Sequence, residues 1–391
     1  MSLSAKRESL ARIHGRYQRA GRPHKQRILD EFCATCGYHR KSALRLLHRP
    51  LPTLAPRKRP GPKPIYDPAV LLPVLKVLWL ESDQLCGKLL KAALPDWIEH
   101  YKRPHAPLPE EVKEKLLAIS PAQIDRRLRP ARVGVPKKGL AATQPGTLLR
   151  HQVPPRSGPP DTSQPGNVAV DTVAHCDDTP AGDYVNSLTF TELFSGWTEN
   201  RAVWNKASHA SLAQLRELEA DVPFERTAFH SDNGSEFLNW PLHEYLTGRP
   251  LKGPWTRSRA YRKNDNAHCE QKNWTPVRQL VGYERFGHPE LVAPLNTLYR
   301  TWGRYHNHFR PTCKLEKREK QGGKTVKTYE KKPQTPYQRL LASPEIPEPT
   351  KARLRAEHAT LDPFALKKDI ERQLKNFFTV LGNLNRESMK T

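Results

Sequence analysis

The chain has 391 residues, and its 65 Lys and Arg against 40 Asp and Glu give a formal net charge of +25, an excess that attracts polyanions such as nucleic acid. The longest apolar run, Val70 to Leu80, is interrupted by Pro73 and Lys76 and cannot cross a bilayer. The length suits about two to four domains, and six scattered Cys indicate reduced thiols in a cytosolic compartment.

Residues 1–50 are predicted to form a helix-turn-helix module. Helical periodicity covers 4–20 and 24–49, and the second range is broken by the tight turn Cys36-Gly37-Tyr38, where Gly37 can adopt a positive φ. The helix after this turn carries cations that can donate to phosphates and base edges. These predicted DNA contacts are Arg40, Lys41 and Arg45. A basic, solvated helix in a small bundle is the alternative.

A basic, proline-rich arm is predicted over residues 51–66. Its eight central residues run from Arg57 to Pro64 and favour an extended path, because three prolines exclude a helix or a central strand. An extended basic arm can lie in a minor groove of DNA. Its predicted DNA contacts are Arg57, Lys58, Arg59 and Lys63. A solvated linker is an equally good interpretation.

Residues 67–132 are predicted to form a second helical DNA-binding module. Apolar helices are expected at 68–80 and Leu85–Tyr101, and Ser120 followed by Pro121 marks the start of another helix. Polar residues on this third helix would make it a second recognition helix. They are Gln123, Arg126 and Arg127.

A linker rich in Pro, Gly, Lys and Arg is expected at 133–165, followed by a mixed α/β segment over 166–285. Strands are predicted at 167–172, 183–192 and 197–204, before alternating helices and strands. The last helix of this segment is expected to run from about residue 265 to residue 281.

Three acidic residues stand out in this segment. Asp171 ends an apolar run, Asp232 follows a predicted strand, and Glu270 lies on the predicted last helix. Carboxylates at strand ends together with one from a helix are hard oxygen ligands suited to Mg²⁺ or Mn²⁺. A pair of such ions can activate a nucleophile and stabilise the leaving oxygen of a phosphodiester.

Five stretches, in order, resemble the catalytic core of retroviral-integrase-type DDE transposases from bacterial insertion sequences. They are Val-Asp-Thr-Val-Ala-His (170–175), Ser-Gly-Trp-Thr-Glu (195–199), Ser-Asp-Asn-Gly-Ser-Glu-Phe (231–237), Thr-Arg-Ser-Arg (256–259) and the twelve residues 263–274. The resemblance implies an RNase H-like mixed sheet and a catalytic, metal-binding triad of Asp171, Asp232 and Glu270. It further implies two Mg²⁺ ions per active site, for which Mn²⁺ would substitute. Departures at Asp177, Asp178 and Cys269 touch none of the three carboxylates.

A basic loop leads into the helix of Glu270, and cations continue along that helix. The predicted DNA contacts here are Arg257, Arg259, Lys263, Lys272 and Arg278. Beside metal ions they would bind the scissile and flanking phosphates; elsewhere they would be a solvated charge run. His175 and His230 are predicted to lie outside the reaction, because metal-activated chemistry needs no separate general base.

Residues 286–391 are predicted to be a small, basic C-terminal α/β region. A helix is expected at Leu291–Phe309, a hairpin within 314–332 around Gln321-Gly322-Gly323, and an amphipathic helix at 363–381. The last helix fits the core of a small domain better than an oligomer seam, because most amphipathic helices pack within their own chain.

The resemblance implies a multidomain α and α/β transposase that binds the terminal inverted repeats of an insertion sequence, frees 3′-hydroxyl ends and joins them to target DNA. Its partners would be element-end and target double-stranded DNA and further copies of itself, as a homodimer or larger multimer on DNA, with no membrane. Its place would be the bacterial cytoplasm, with the nucleoid. The alternative is a transposase-derived, sequence-specific DNA-binding regulator that no longer catalyses. A zinc site of His14, His24, Cys33 and Cys36 is disfavoured, because the second His and the Cys pair are closely spaced and Cys33 falls on an apolar face.

Overall fold

The chain forms two compact units, Met1–Pro64 and Ile65–Thr391, and its fold is mixed α/β. The computed structural model describes residues 1–51, 66–101, 106–132, 161–179, 181–205, 208–231, 240–248, 255–257, 274–321 and 324–388. Over these ranges, no helix combines the length and apolar composition that crossing a membrane requires.

The first unit contains three helices, α1 (Leu3–Arg19), α2 (Arg22–Cys36) and α3 (Arg40–His48). Gly37 ends α2 at φ +63°, and its N–H donates to the Cys33 carbonyl over 2.9 Å, so the predicted tight turn is confirmed. The helices bury one shared apolar cluster. It consists of Leu10, Tyr17, Ile28, Leu29, Phe32, Cys36, Ala43 and Leu47.

The second unit begins with four helices: α4 (Pro68–Glu81), α5 (Gly87–Tyr101), α6 (Glu110–Ala118) and α7 (Pro121–Leu128). The Ser120 side chain accepts from the Gln123 N–H over 3.3 Å, which confirms the predicted start of α7. Gly87 lies against the start of α7, where an added Cβ would stand 2.4 Å from the Pro121 carbonyl oxygen. This close approach requires glycine.

A five-stranded sheet follows, in the order β3-β2-β1-β4-β5. Its strands are β1 (Asn167–Ala174), β2 (Val185–Glu192), β3 (Thr198–Trp204), β4 (Ala228–Ser231) and β5 (Trp255–Arg257). The first three pair antiparallel, whereas β4 pairs parallel with β1 and β5 pairs parallel with β4. Helices α8 (Ser208–Asp221) and α9 (Trp240–Thr247) lie between the strands in sequence and share a core with one sheet face.

Beyond the sheet, a π-helical turn at Trp274–Arg278 continues into the short helix α10 (Gln279–Val281). Helix α11 (Val292–Phe309) precedes an antiparallel hairpin of β6 (Leu315–Gln321) and β7 (Lys324–Tyr329). Three helices close the chain: α12 (Pro336–Ala342), α13 (Glu348–Thr360) and α14 (Pro363–Ser388).

Helices α4 to α7 share one hydrophobic core with α11 and α14. Trp97 of α5 stacks edge-on against Tyr305 and Phe364, and its indole N–H donates to the Phe309 carbonyl over 3.2 Å. The Tyr305 hydroxyl donates to the Glu81 carbonyl at the end of α4 over 2.7 Å. The region predicted as a second module is therefore packed into the same unit as the sheet.

Two asparagines of α11 cover the edge of the sheet at β3. Asn307 accepts from the Thr198 N–H over 2.9 Å and donates to the Thr198 carbonyl over 3.0 Å. Asn296 binds Ala202 in the same two-way manner, over 2.7 and 3.1 Å. The asparagines are separated by about three helical turns, so α11 lies along β3 and pairs backbone groups at the edge of the sheet.

A buried ion-pair cluster lies between β3 and α8. The Arg201 guanidinium is 1% exposed and donates to Asp221 over 2.8 Å, with Glu199 at 3.5 Å and Glu217 at 3.7 Å. Burial raises the pKa of Glu199 to about 7, although Arg201 acts in the opposite direction. The buried charge of Arg201 is tolerable because it is paired with carboxylates, of which Glu217 and Asp221 reach solvent.

Candidate metal and nucleic-acid site

Three parallel strands share a common row of residues, at which β4 and β5 end. Val170 of β1 is the Cα partner of Ser231 of β4, and Ser231 is the partner of Arg257 of β5. Asp171 follows Val170 directly, and Asp232 follows Ser231 directly. The two aspartates thus succeed positions that are neighbours in the sheet.

Asp171 lies inside β1 and not at its end, in contrast to the prediction. Strand β1 continues to Ala174 because Thr172 and Ala174 still pair with Leu188 and Asn186 of β2. Asp171 is half-buried, and its Oδ1 accepts from the Thr172 N–H over 2.9 Å. This contact fixes the carboxylate beside the row of strand ends.

Buried polar groups continue across the sheet from Asp171. Thr189 of β2 is the cross-strand partner of Asp171, and its hydroxyl accepts from the Asn200 amide over 2.8 Å. Partners in an antiparallel pair share one face of the sheet. Asn200 Oδ1 and Thr191 Oγ1 are buried without a hydrogen-bond partner among the described groups. This side of Asp171 therefore carries side-chain oxygen atoms, the kind of ligand that hard cations prefer.

The other two carboxylates of the predicted triad, Asp232 and Glu270, lie outside the described residues, as do Arg259, Lys263 and Lys272. Among the residues that the structure does describe, no three His, Cys, Asp or Glu side chains come together as a possible metal site, and this includes His14, His24, Cys33 and Cys36.

The segment that follows Glu270 is attached to the end of β1. Arg278 Nη2 donates to the Ala174 carbonyl over 2.9 Å, and its guanidinium lies 4.7 Å from the Tyr283 ring centre. Burial lowers the pKa of Arg278. Val277 and Val281 belong to the buried cluster that includes Val173 of β1. Arg278 therefore has a structural role at this attachment, whatever it contributes to DNA.

The two histidines near this region are held inside the fold. His175 is fully buried, stacks on Phe286 at 4.4 Å and hydrogen bonds Ser187 over 2.7 Å. Burial lowers the pKa of His175 to about 3, so it is neutral near pH 7. His230 is buried in β4, and its Nδ1 lies 2.9 Å from Thr256 Oγ1.

The predicted DNA contacts of the first unit lie on one exposed helix where the structure describes them. Arg40, Lys41 and Arg45 of α3 are all exposed, while Ala43 and Leu47 of the same helix are buried. Arg40 forms an ion pair with Asp30 of α2. The arm residues Arg57, Lys58, Arg59 and Lys63 lie outside the described residues.

In the second unit, α7 presents Arg126 to solvent, with Gln123 and Arg127 half-buried beside it. Its opposite side buries Ile124 and Leu128. Arg257 of β5 is half-buried at the row of strand ends. Helix α7 and the row of strand ends are far apart in sequence, but they belong to the same compact unit.

Sequence reasoning missed two cations, half-buried Lys314 and buried Arg339, that attach the loop between β2 and β3 to the C-terminal region. Lys314 donates to the Phe194 carbonyl, and burial lowers its pKa. Arg339 is 4% exposed and donates to the Ser195 carbonyl over 2.9 Å and the Thr312 carbonyl over 2.8 Å. Nothing local in the sequence marks these contacts, because the acceptors in the loop, Phe194 and Ser195, lie more than a hundred residues from the two cations.

No family model matches the chain. It is 37% identical over 331 residues to "Uncharacterized protein y4rM" of Sinorhizobium fredii, an alignment that covers 84% of this chain and 93% of the relative. The similarity therefore spans most of this chain and nearly the whole of the relative.

Proposed function

We propose that this chain, which belongs to the same family as protein y4rM of Sinorhizobium fredii, is a DNA transposase with an RNase H-like catalytic core. It would bind the terminal inverted repeats of an insertion sequence, cleave to free 3′-hydroxyl ends and join them to target DNA. Such a reaction handles two DNA ends, so the working form would be a homodimer or larger assembly on DNA.

The pairing of Val170 with Ser231 carries this proposal. Val170 and Ser231 are neighbours on adjacent parallel strands, and Asp171 and Asp232 are the next residues in sequence after them. Three antiparallel strands joined to two parallel ones, in the order β3-β2-β1-β4-β5, are also the arrangement expected for an RNase H-like sheet. The attachment of Arg278 to Ala174 supports it further, since it ties the segment after Glu270 to the strand of Asp171.

The donor set fits a hard divalent cation. Asp171, Asp232 and Glu270 would hold two Mg²⁺ ions, or Mn²⁺ in their place, because carboxylate oxygens are the ligands that these ions prefer. Bound there, the ions would supply Lewis acidity to the attacking water or 3′-hydroxyl and to the departing oxygen. His175 and His230 hydrogen bond to side chains inside the fold and would take no part in proton transfer at this site.

Basic residues would position the DNA around these carboxylates. Arg257 stands at the row of strand ends beside Ser231, where it would contact phosphates near the scissile bond, together with Arg259, Lys263 and Lys272. Exposed Arg40, Lys41 and Arg45 on α3, with Gln123, Arg126 and Arg127 on α7, would read or hold the element ends.

Replacing the three carboxylates tests the proposal. Asp171→Asn, Asp232→Asn and Glu270→Gln each remove a metal-binding charge while keeping shape. Each should reduce Mg²⁺- or Mn²⁺-dependent cleavage and joining of element-end duplexes to background and leave binding of those duplexes intact. Asp178→Asn is the matched control, because Asp178 is exposed and lies outside the triad.

Two outcomes would count against this assignment. A triad variant that cuts as the wild type does removes that residue from the site. A wild-type protein that binds element ends specifically but leaves them uncut with either metal would instead be a DNA-binding regulator.

A further inference from the structure

The hairpin formed by β6 and β7 is a basic surface that the proposed transposition site does not use. Residues 314–332 contain eight Lys and Arg and three Glu. The apolar side chains of the hairpin are exposed as well: Leu315 is 45%, Val326 41% and Tyr329 46% exposed. These residues do not form a core, although an isolated two-stranded hairpin is only marginally stable in water.

The base of the hairpin is fixed to the second unit. Thr312 and Gln334 exchange two backbone hydrogen bonds over 2.9 and 3.3 Å, just outside the strands. The Lys88 ammonium of α5 donates to the Glu330 carbonyl over 2.8 Å. Arg339 of α12 holds the Thr312 carbonyl and also forms an ion pair with Glu330. The hairpin is therefore an exposed ribbon on an anchored base.

One face of the ribbon combines charge with apolar surface. Lys327 and Tyr329 are two residues apart in β7 and therefore lie on the same face. Leu315 is the cross-strand partner of Tyr329. Lys331 and Lys332 continue the exposed charge beyond the end of β7. On the other strand, Lys317 is already paired with Glu319 over 2.6 Å. The net positive charge is thus concentrated on β7 and the residues that follow it.

We propose that this hairpin is an arm that enters a groove of duplex DNA and binds its phosphates without reading sequence. A two-stranded ribbon fits the major groove, which is about 12 Å wide and about 8.5 Å deep. Strands of this length reach about 20 Å, enough to enter a groove while the base stays on the protein. The cations are mainly lysines, which bind phosphate as point charges and lack the bidentate geometry that selects a base. The inference takes from the proposed function only that the partner is DNA.

The test compares two triple variants of the full-length chain. The hairpin variant carries Lys327→Ala, Lys331→Ala and Lys332→Ala. The control variant carries Lys368→Ala, Arg372→Ala and Lys375→Ala, which removes the same charge from exposed positions on α14. Binding of a random-sequence duplex is measured by fluorescence anisotropy as a function of salt.

The hairpin variant should bind more weakly, and its plot of log affinity against log salt should be shallower by about 2 to 3, because each lost phosphate contact changes the slope by about 0.9. The control variant should keep the wild-type slope. Equal slopes for the two variants would overturn the proposal. So would an unchanged duplex affinity accompanied by lost binding to anionic vesicles, which would assign the ribbon to a membrane surface.

The outcome can be separated from that of the proposed function by assaying cleavage of element ends in parallel. Hairpin-dependent duplex binding by a protein that never cleaves would support the arm and refute the transposase. Normal cleavage together with equal salt slopes would support the transposase and refute the arm. Intrinsic tryptophan fluorescence confirms that both variants are folded, since no substituted side chain is buried.

Discussion

Asn307→Ala should destabilise the second unit sharply, because this fully buried side chain satisfies both backbone groups of Thr198 at the edge of the sheet. It also donates to Glu199 over 3.2 Å. Thr198 is itself buried, so water cannot replace the lost amide without rearrangement.

The expected loss follows from the groups left unpaired. A buried donor or acceptor without a partner costs about 1–3 kcal/mol, so the N–H and carbonyl of Thr198 together give about 4 kcal/mol. With a urea m value of about 3 kcal/mol/M, the unfolding midpoint should fall by about 1 M.

Tryptophan fluorescence can report this change for the second unit alone. All eight Trp of the chain lie between Trp79 and Trp302, and the first unit has none. Thr297→Ala is the control: Thr297 is an exposed residue of α11 whose hydroxyl donates to Ala293 within the same helix. Its midpoint should stay within about 0.2 M of the wild type, since surface substitutions change stability by about 0.5 kcal/mol or less. If Asn307→Ala unfolds at the same urea concentration as Thr297→Ala, the edge-covering role is refuted.

Two further predictions concern charge. Because burial raises the pKa of Glu199 to about 7, the folded protein holds this proton more tightly than the unfolded chain does, so stability should fall as pH rises from about 4.5 through about 7. Glu199→Gln should remove that part of the decline, about 3 kcal/mol, and parallel pH profiles of unfolding free energy for wild type and variant would contradict the assignment. Arg257→Ala should slow single-turnover cleavage by about a hundredfold, because the reacting phosphate would be misplaced, and should weaken end binding only mildly. Arg353→Ala, at an exposed position, is the control. Weakened binding at a normal cleavage rate would instead give Arg257 a docking role.

Much of the sheet could be predicted from sequence. Runs rich in Val and Thr placed β1, β2 and β3 within a few residues of their observed bounds, because β-branched residues favour strands. The position of Asp171 within β1 could not be predicted in this way. Strand β1 outlasts its pairing with β4 because β2, on its other side, is longer than β4.

Some helices were missed for lack of a strong pattern, and one was missed despite a signal. Helix α6 buries only Val112 and Leu116, too few positions for clear periodicity. Helix α12, however, begins with a complete capping box between Thr335 and Gln338, and Pro336 stands at its first position. Those residues mark a helix start that sequence reasoning could have used.

The sequence also reveals the candidate site more readily than the contacts at the sheet edge of β3. The motif around Asp171 is local and readable, whereas the edge cover formed by Asn296 and Asn307 joins residues about a hundred positions apart. Asparagines on an amphipathic helix give no hint of which strand they contact. Contacts of this kind become visible only when the chain has folded.

Helices α7 and α11 share one hydrophobic core, and this packing fixes the distances between elements of the second unit. If α7 contacts DNA as proposed, a base pair held by Gln123, Arg126 or Arg127 would stand at a constant offset from the phosphate opposite Asp171, because Ile124 of α7 and Val173 of β1 belong to the same buried cluster. The first unit, Met1–Pro64, is a separate compact unit with its own buried cluster. An element recognised in this way would have to preserve, to the base pair, the spacing between the sequence bound by α7 and its cut end.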